Sequence, residues 1–264
     1  MTIEFSLDTP ALRLAARETP WDSAVYGSVV VSIEKLVVLE PLNAVKDFKR
    51  FRNWLDTNRV GLVSCRLPHR NLIESMLLEE QDFRFVEMVL HPYLPNLNQM
   101  KLTPVNLDIQ AATPGDLADL MEIAGTAFSN ERFHLDPRIS SDVGPKRYAQ
   151  WVRNCLNHPT QTLLKITEHS KTIGLFITQE SQSSKKVEWL LTAISPSLQG
   201  FGYGRRAWQA MLWRHQTQGY ETVSTTIAAG NSKVLSLYAR LQFKFNNPEM
   251  TFHWTSKGCP ARLV

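Results

Sequence analysis

The chemistry in this chain concentrates in residues 191–206. The stretch Leu191-Thr192-Ala193-Ile194-Ser195-Pro196-Ser197-Leu198-Gln199-Gly200-Phe201-Gly202-Tyr203-Gly204-Arg205-Arg206 passes from an apolar segment through a Pro-punctuated turn and alternating glycines into a helix-forming segment. A strand of this kind delivers a backbone loop to a helix N-terminus. Glycine accepts backbone angles that other residues resist and has no Cβ to hold a ligand away. The first N–H groups of a helix lack internal partners and lie at the positive end of its dipole. A pyrophosphate suits such a cradle. Arg205 and Arg206 either add charge to it or belong to a solvated helix face.

Other nucleotide loops fit poorly. Gly200, Gly202 and Gly204 do not give G-x-G-x-x-G, and no Lys-Ser/Thr ending follows. The preceding segments 162–168, 172–180 and 187–194 alternate with period two, and the links between them are short enough for an antiparallel meander. That is the wrong approach for a doubly wound dinucleotide sheet.

The elements around the loop divide the chain. After a polar leader, 19–27 reads as a loop entering a strand at 28–33. A helix over 42–57 follows, with Phe48, Phe51 and Leu55 on one face, then a strand at 60–65. A second helix after Pro68 and Asn71 carries Leu72, Ile73, Met76 and Leu77, and 83–90 closes the unit as a strand. Residues 91–104 are rich in Pro and Asn without apolar period, as a linker is. Two domains are therefore expected, a small α/β domain at 1–95 and a larger one at 105–264.

The second domain opens with a strand at 107–111 and a helix capped at Thr113, whose Leu117, Leu120, Met121, Ala124 and Phe128 lie on one face. A polar loop at 129–142 and a helix after Pro145 precede the meander. Beyond the glycine loop come a helix to about 218, a strand at 222–228, a helix at 231–241 and a last strand at 243–254. Segments 71–90 and 233–252 echo each other weakly, each a helix, a polar residue before Phe, and a strand. The first copy has no glycine loop, so ligand chemistry is expected in the second.

Composition is that of an ordinary globular chain, 43% hydrophobic and 20% charged. The net charge of +4 favours anionic ligands without marking a nucleic-acid binder. No apolar run approaches a membrane helix and the N-terminal residues lack a signal-peptide layout, so a cytoplasmic location is expected. Cys65, Cys155 and Cys259 fit neither a disulfide framework nor a zinc site and read as spectator thiols, and the seven histidines show no metal spacing.

Two motifs carry a family resemblance. Gln199-x-x-Gly202-x-Gly204 resembles the acetyl-CoA pyrophosphate loop of the GCN5-related N-acetyltransferases (GNAT). Asn231-x-x-Val234-x-x-Leu237-Tyr238-x-x-Leu241-Gln242-Phe243 resembles that family's N-x-x-A-x-x-L-Y-x-x-x-G-F helix. The sequence departs from the pattern at Val234, which replaces a small residue, and at Gln242, which replaces a glycine. A left-handed angle at Gln242 costs about 1 kcal/mol, unless the helix ends differently. Trp21-Asp22-Ser23-x-x-Tyr26-Gly27, the block 128–137 and Tyr148-x-x-Trp151-Val152-x-Asn154 resemble the nucleotide-linked amino-sugar acetyltransferases of the dTDP-fucosamine type.

The resemblance implies a mixed α/β fold with a mostly antiparallel sheet flanked by helices, in which a GNAT-like domain follows a smaller α/β domain. It implies acetyl-CoA as cofactor and direct transfer to an amine in a ternary complex. Backbone groups of Leu191, Thr192, Ala193 and Ile194 would hold the pantetheine and thioester, and Gln199, Gly200, Phe201, Gly202, Tyr203, Gly204 and Arg205 the pyrophosphate. Tyr238 is the implied general acid, although Val234, Leu237, Tyr238 and Leu241 form an apolar face on which a tyrosine is also ordinary core. Asn231 either holds the cofactor or caps its helix.

On the acceptor side the resemblance implies Arg132, His134 and Asp136, with Arg132 either pairing a phosphate or closing an Arg–Asp contact within its own loop. Trp21, Tyr148 and Trp151 either stack on the acceptor or fill the core. No base is assigned; Glu180 and Glu188 either relay a proton or face solvent. The expected partners are a small amine, a nucleotide-sugar among them, and a second copy of the chain, with neither nucleic acid nor membrane. Another amine acceptor, or a non-catalytic acyl-CoA-binding module, are the competing readings.

Overall fold

The computed structural model describes residues 2–256, which leaves Cys259 outside the described residues. In chain order the strands and helices are β1 (Glu4–Asp8), β2 (Leu12–Glu18), α1 (Pro20–Tyr26), β3 (Val29–Val38), α2 (Pro41–Thr57), β4 (Val60–Pro68), α3 (Leu72–Glu80) and β5 (Arg84–Leu94). They continue with β6 (Asp108–Ala111), α4 (Leu117–Thr126), α5 (Arg132–Leu135), α6 (Val143–Cys155), β7 (Gln161–Glu168), β8 (Lys171–Ser181) and β9 (Lys186–Ile194). The last are α7 (Tyr203–Thr217), β10 (Thr222–Thr225), β11 (Ile227–Ala228), α8 (Ser232–Arg240) and β12 (Lys244–Thr255).

Several elements differ from the sequence expectation. The supposed polar leader holds β1 and β2. In β2 the buried side chains Leu12, Leu14 and Ala16 alternate with positions such as Arg13 and Arg17, the period of a strand with one wet face. Residues 20–26, expected as loop, form α1, started by Pro20 and closed by Gly27 at φ 80°. The loop at 129–142 contains the short helix α5. In α3 the buried side chains are Ser75, Leu77 and Leu78, whereas Leu72, Ile73 and Met76 face outward.

The chain forms two compact units. Unit 1 takes residues up to Val89, Arg132–Val143 and residues from Asn247 on; unit 2 takes Leu90–Glu131 and Gly144–Asn246. Two segments expected in the second domain thus belong with the first. The cause is packing: Phe133, Ile139 and Val143 share a cluster with Val30 and Leu62, and Phe252 and Trp254 join the main core of unit 1.

In unit 1 the strand order is β1-β2-β3-β4-β12, antiparallel except for β3 with β4. Its core sets Phe48, Phe51 and Leu55 of α2 against Leu12, Leu14, Val31 and Val63. In unit 2 the order is β5-β10-β9-β8-β7-β6, antiparallel except for β10 with β9. Side-chain alternation splits its core in two. Leu164, Phe176 and Trp189 pack with Trp208 and Met211 of α7 on one face, and Leu163, Leu175 and Ile177 pack with α4 and α6 on the other.

Candidate active site

A fork opens inside the sheet of unit 2. The parallel register of β10 with β9 runs from Thr222 opposite Lys186 to Thr225 opposite Trp189, and there β10 ends. Thr225 Oγ1 donates to the Trp189 carbonyl at 2.7 Å, tying the two strands at the fork. Beyond it β9 continues to Ile194, still paired on its other edge with β8. The same point carries a bulge: Ile177 faces Leu191 and Thr178 faces Trp189, which leaves Leu190 as an extra residue. A bulge bends a strand and raises its twist, so it turns β9 away from β10. It also moves Leu191 to the face opposite Trp189. Past the fork, the edge of Leu191–Ile194 that faced β10 has backbone groups to offer a ligand. On the far edge the strands approach so closely that a Cβ on Gly174 would lie 2.4 Å from the Ala193 oxygen.

The glycine loop follows directly. Gly200 and Gly202 both take φ 85°, the left-handed region that the sequence pattern requires, and a Cβ added at either meets nothing within 4 Å. Gly202 is the N-cap of α7 and has no side chain with which to cap it. The first helical bond is Arg206 N–H to the Gly202 oxygen at 3.3 Å, so by helix geometry the N–H groups of Tyr203, Gly204 and Arg205 have no intrahelical acceptor. They lie at the positive end of a 15-residue helix. Left-handed glycines, open surface and unpaired helix amides fit the pyrophosphate of acetyl-CoA.

The side chains around this loop take separate roles. Gln199 Nε2 donates to the Ile194 oxygen at 3.1 Å, so it fastens the loop to the end of β9. Phe201 stands at the tip, 77% exposed. Arg206 is committed to an ion pair with Glu168 and lies 5.5 Å over the Tyr203 ring, and it holds the Glu168 carboxyl below its usual range. Arg205 stays exposed beside the loop.

Tyr238 reaches the fork from α8. It is 2% exposed, with its ring 4.8 Å from Phe243 and 6.4 Å from Trp208. Burial pushes the phenol above its ordinary pKa, while contacts of the hydroxyl with Trp208, Thr225 and Thr192 pull it back. Thr225 ends β10 and Thr192 lies on β9 just past the bulge, so the hydroxyl sits where the strands part. It remains protonated at neutral pH, the state required of an acid. Sequence reasoning missed Thr225 and Trp208, which only the tertiary fold brings to Tyr238.

Asn231 Oδ1 accepts from Val234 N–H at 3.3 Å, a helix cap. Gln242 does adopt φ 65°, so α8 closes as a glycine would close it. Glu180 is engaged with the Tyr220 hydroxyl at 2.9 Å, and Glu188 faces outward on β9. Tyr148 stacks on Phe128 at 4.3 Å inside the α4/α6 core, so it packs rather than lies open.

The acceptor-side residues proposed from the sequence lie in unit 1. Arg132 donates to Ser64 Oγ at 2.8 Å and pairs with Asp22 at 3.4 Å, while partial burial lowers the pKa of His134. Asp136 is different. Its Oδ1 accepts from Arg138 N and Nε at 3.1 and 2.9 Å, and its Oδ2 from Arg138 and His253 Nδ1 at 2.8 and 3.0 Å. Both oxygens are satisfied within the protein, in a buried site. The internal Arg–Asp contact exists, with Arg138 in place of Arg132. Burial pushes the thiols of Cys65 and Cys155 up to about 12 and about 11, so both are inert.

Comparison with known proteins agrees with this geometry. Residues 118–243 match the Acetyltransferase (GNAT) family. The chain is 22% identical over 246 residues to the spore coat polysaccharide biosynthesis protein SpsD of Bacillus subtilis (strain 168), covering 92% of this chain and 84% of that protein. Its fold resembles a functionally unknown conserved protein from Staphylococcus epidermidis ATCC 12228, with TM-score 0.67, 12% identity and coverage of 96% and 94%. It also resembles a GCN5-related N-acetyltransferase from Sphaerobacter thermophilus, with TM-score 0.63, 14% identity and coverage of 94% and 82%.

Proposed function

We propose that this chain, whose residues 118–243 match the GNAT acetyltransferase family, is an acyltransferase that uses acetyl-CoA and whose acceptor is the amine of a nucleotide-linked amino-deoxysugar. The observation that carries the reading is the fork: one end of β9 presents free backbone, the glycine loop presents unpaired amides, and the Tyr238 hydroxyl lies between the parted strands.

Acetyl-CoA, when bound, supplies an acetyl group already activated as a thioester. The chain's part is to place and polarise. Amides of Phe201, Gly202, Tyr203, Gly204 and Arg205 take the pyrophosphate, and the open edge of Leu191–Ile194 orients the acyl-bearing arm and hydrogen-bonds its carbonyl. Tyr238 holds the proton that the departing thiolate needs. Both thiols described are inert, so direct attack by the amine in a ternary complex is the route favoured over a cysteine-linked acyl enzyme.

A sugar acceptor draws support from the polysaccharide-biosynthesis relative and from Arg132. Its guanidinium is a group of the kind that binds a nucleotide phosphate bidentately. His134 is its neighbour in the same short helix. The test is thiol release from acetyl-CoA by the purified chain, with dTDP-linked amino-deoxysugars set against polyamines, aminoglycosides and peptide N-termini. Turnover is expected with the nucleotide sugars and to fall with Arg132→Ala. Preference for any of the other amines overturns the acceptor, and failure to bind acetyl-CoA by calorimetry overturns the cofactor site.

A further inference from the structure

Helix α3 leaves its apolar side in water. Leu72, Ile73 and Met76 are between 52% and 59% exposed, on one side of a nine-residue helix whose other side buries Ser75, Leu77 and Leu78. Exposed apolar side chains also lie around the start of α2. Glu74 Oε1 accepts from Val38 N–H at 3.1 Å, which sets the end of β3 beside α3, and Leu39 and Leu42 follow it, the latter 88% exposed.

The local structure does not require these residues, and α8 is the control. The two helices match position by position at an offset of about 160 residues: Ser75 N–H donates to the Asn71 oxygen as Leu235 N–H does to Asn231, and Asp82 and Gln242 both close their helices at φ 65°. Where α3 exposes Leu72, Ile73 and Met76, α8 exposes Ser232, Lys233 and Ser236. The same build is therefore made with polar side chains at those positions. A cluster of aliphatic residues that packing does not explain marks an interaction surface.

Charge around the patch selects the occupant. His69 and Arg70 stand before the helix and Glu79 and Glu80 at its end, all exposed, and among the described residues Arg70, Glu79 and Glu80 form no ion pair. Basic residues at one end and acidic at the other make the surface its own complement when reversed. We propose that two copies of the chain associate through α3, antiparallel about a two-fold axis that passes between Glu74 and Ser75. This register sets Ile73 of one copy on Met76 of the other, Arg70 on Glu79 and His69 on Glu80, the isologous pattern of a closed dimer.

The experiment is sedimentation equilibrium of the full chain. A dimer is expected, converted to monomer by the Ile73→Lys, Met76→Glu double variant, which retains acetyl-CoA binding through unit 2. Arg70→Glu and Glu79→Arg are each expected to weaken association about tenfold, and the two together to restore it. A monomeric wild-type chain, a dimer untouched by the double variant, or a paired charge reversal no tighter than its single members overturns the proposal.

Discussion

Leu78 and Tyr238 hold the same place in two helices that end alike. Phe83 N–H donates to the Leu78 oxygen at 2.9 Å and Phe243 N–H to the Tyr238 oxygen at 3.0 Å. Both side chains are buried, one in each unit. What differs is a hydroxyl: Tyr238 brings one to Thr192 and Thr225, and Leu78 brings only methyl groups. The pair separates what this position does for packing from what it does for chemistry.

Tyr238→Phe removes the hydroxyl and leaves the ring between Phe243 and Trp208. Turnover is expected to fall by about 10²-fold or more, the usual worth of a positioned acid, with acetyl-CoA affinity unchanged. Leu78→Ala, by contrast, should lower unfolding free energy by about 2–5 kcal/mol and leave kcat in place. Single-turnover kinetics beside urea titrations separate the two. Wild-type turnover in the Phe variant would reduce Tyr238 to a core residue.

Gly202 at φ 85° predicts a sharp asymmetry within the loop. Its added Cβ meets no atom within 4 Å, so any damage comes from the backbone angle. Gly202→Ala forces a left-handed alanine at about 1–2 kcal/mol or turns the loop amides off target, and acetyl-CoA affinity should fall about tenfold. Gly204 lies inside α7, where a Cβ would stand 3.8 Å from Leu237 Cδ2, an ordinary contact. Gly204→Ala should bind as the wild type does. Calorimetry on both variants checks the contrast, and equal affinities would remove the loop from the binding site.

The glycine loop was legible because its signals are local: left-handed glycines, a strand before and a helix after. The meander was legible for the same reason, through its period of two. Helix α3 was not. Periodicity found the helix and its apolar residues Leu72, Ile73, Met76 and Leu77, but not that only Leu77 among them is buried. Periodicity reports that a helix has an apolar side and not what covers it. In β2, charged Arg13 and Arg17 masked a strand whose inward side chains are apolar. The partner of Asp136 was out of reach in another way, since His253 lies 117 residues along the chain.

Asp136 is expected to matter for stability. Its side chain and that of Arg138 are 1% and 5% exposed, and the contact is bidentate. The bonds from Arg138 and His253 hold its carboxyl far below the usual range, against the opposing pull of burial. Asp136→Asn turns one oxygen into a donor facing donors and leaves Arg138 without its counter-charge. The expected loss is about 3–5 kcal/mol of unfolding free energy, as for other broken buried pairs, with acetyl-CoA affinity kept while the chain is folded. Full stability with a raised KM for the acceptor would instead return Asp136 to the substrate site.

His215 predicts a pH dependence with a definite sign. It is fully buried between Trp189 and Tyr220, and burial, with Arg214 adding to it and Gln218 opposing, lowers its pKa to about 4. Glu180 Oε1 lies 4.0 Å from Nδ1, and the Tyr220 ring packs edge-on against the imidazole at 5.8 Å. In the unfolded chain the ring titrates near its ordinary value of about 6.5. Between these two values the unfolded chain holds a proton that the folded chain does not, so stability rises with pH. The contribution is complete above about pH 6.5 and is lost as pH falls toward 4. His253 is lowered to about 4 as well and acts in the same direction. The urea midpoint should therefore drop from pH 7 to pH 5, and His215→Leu should flatten part of that slope while His253 keeps the rest. Identical slopes in the two proteins would mean that the buried ring takes up its proton without unfolding, through relaxation of the Trp189 and Tyr220 packing that encloses it.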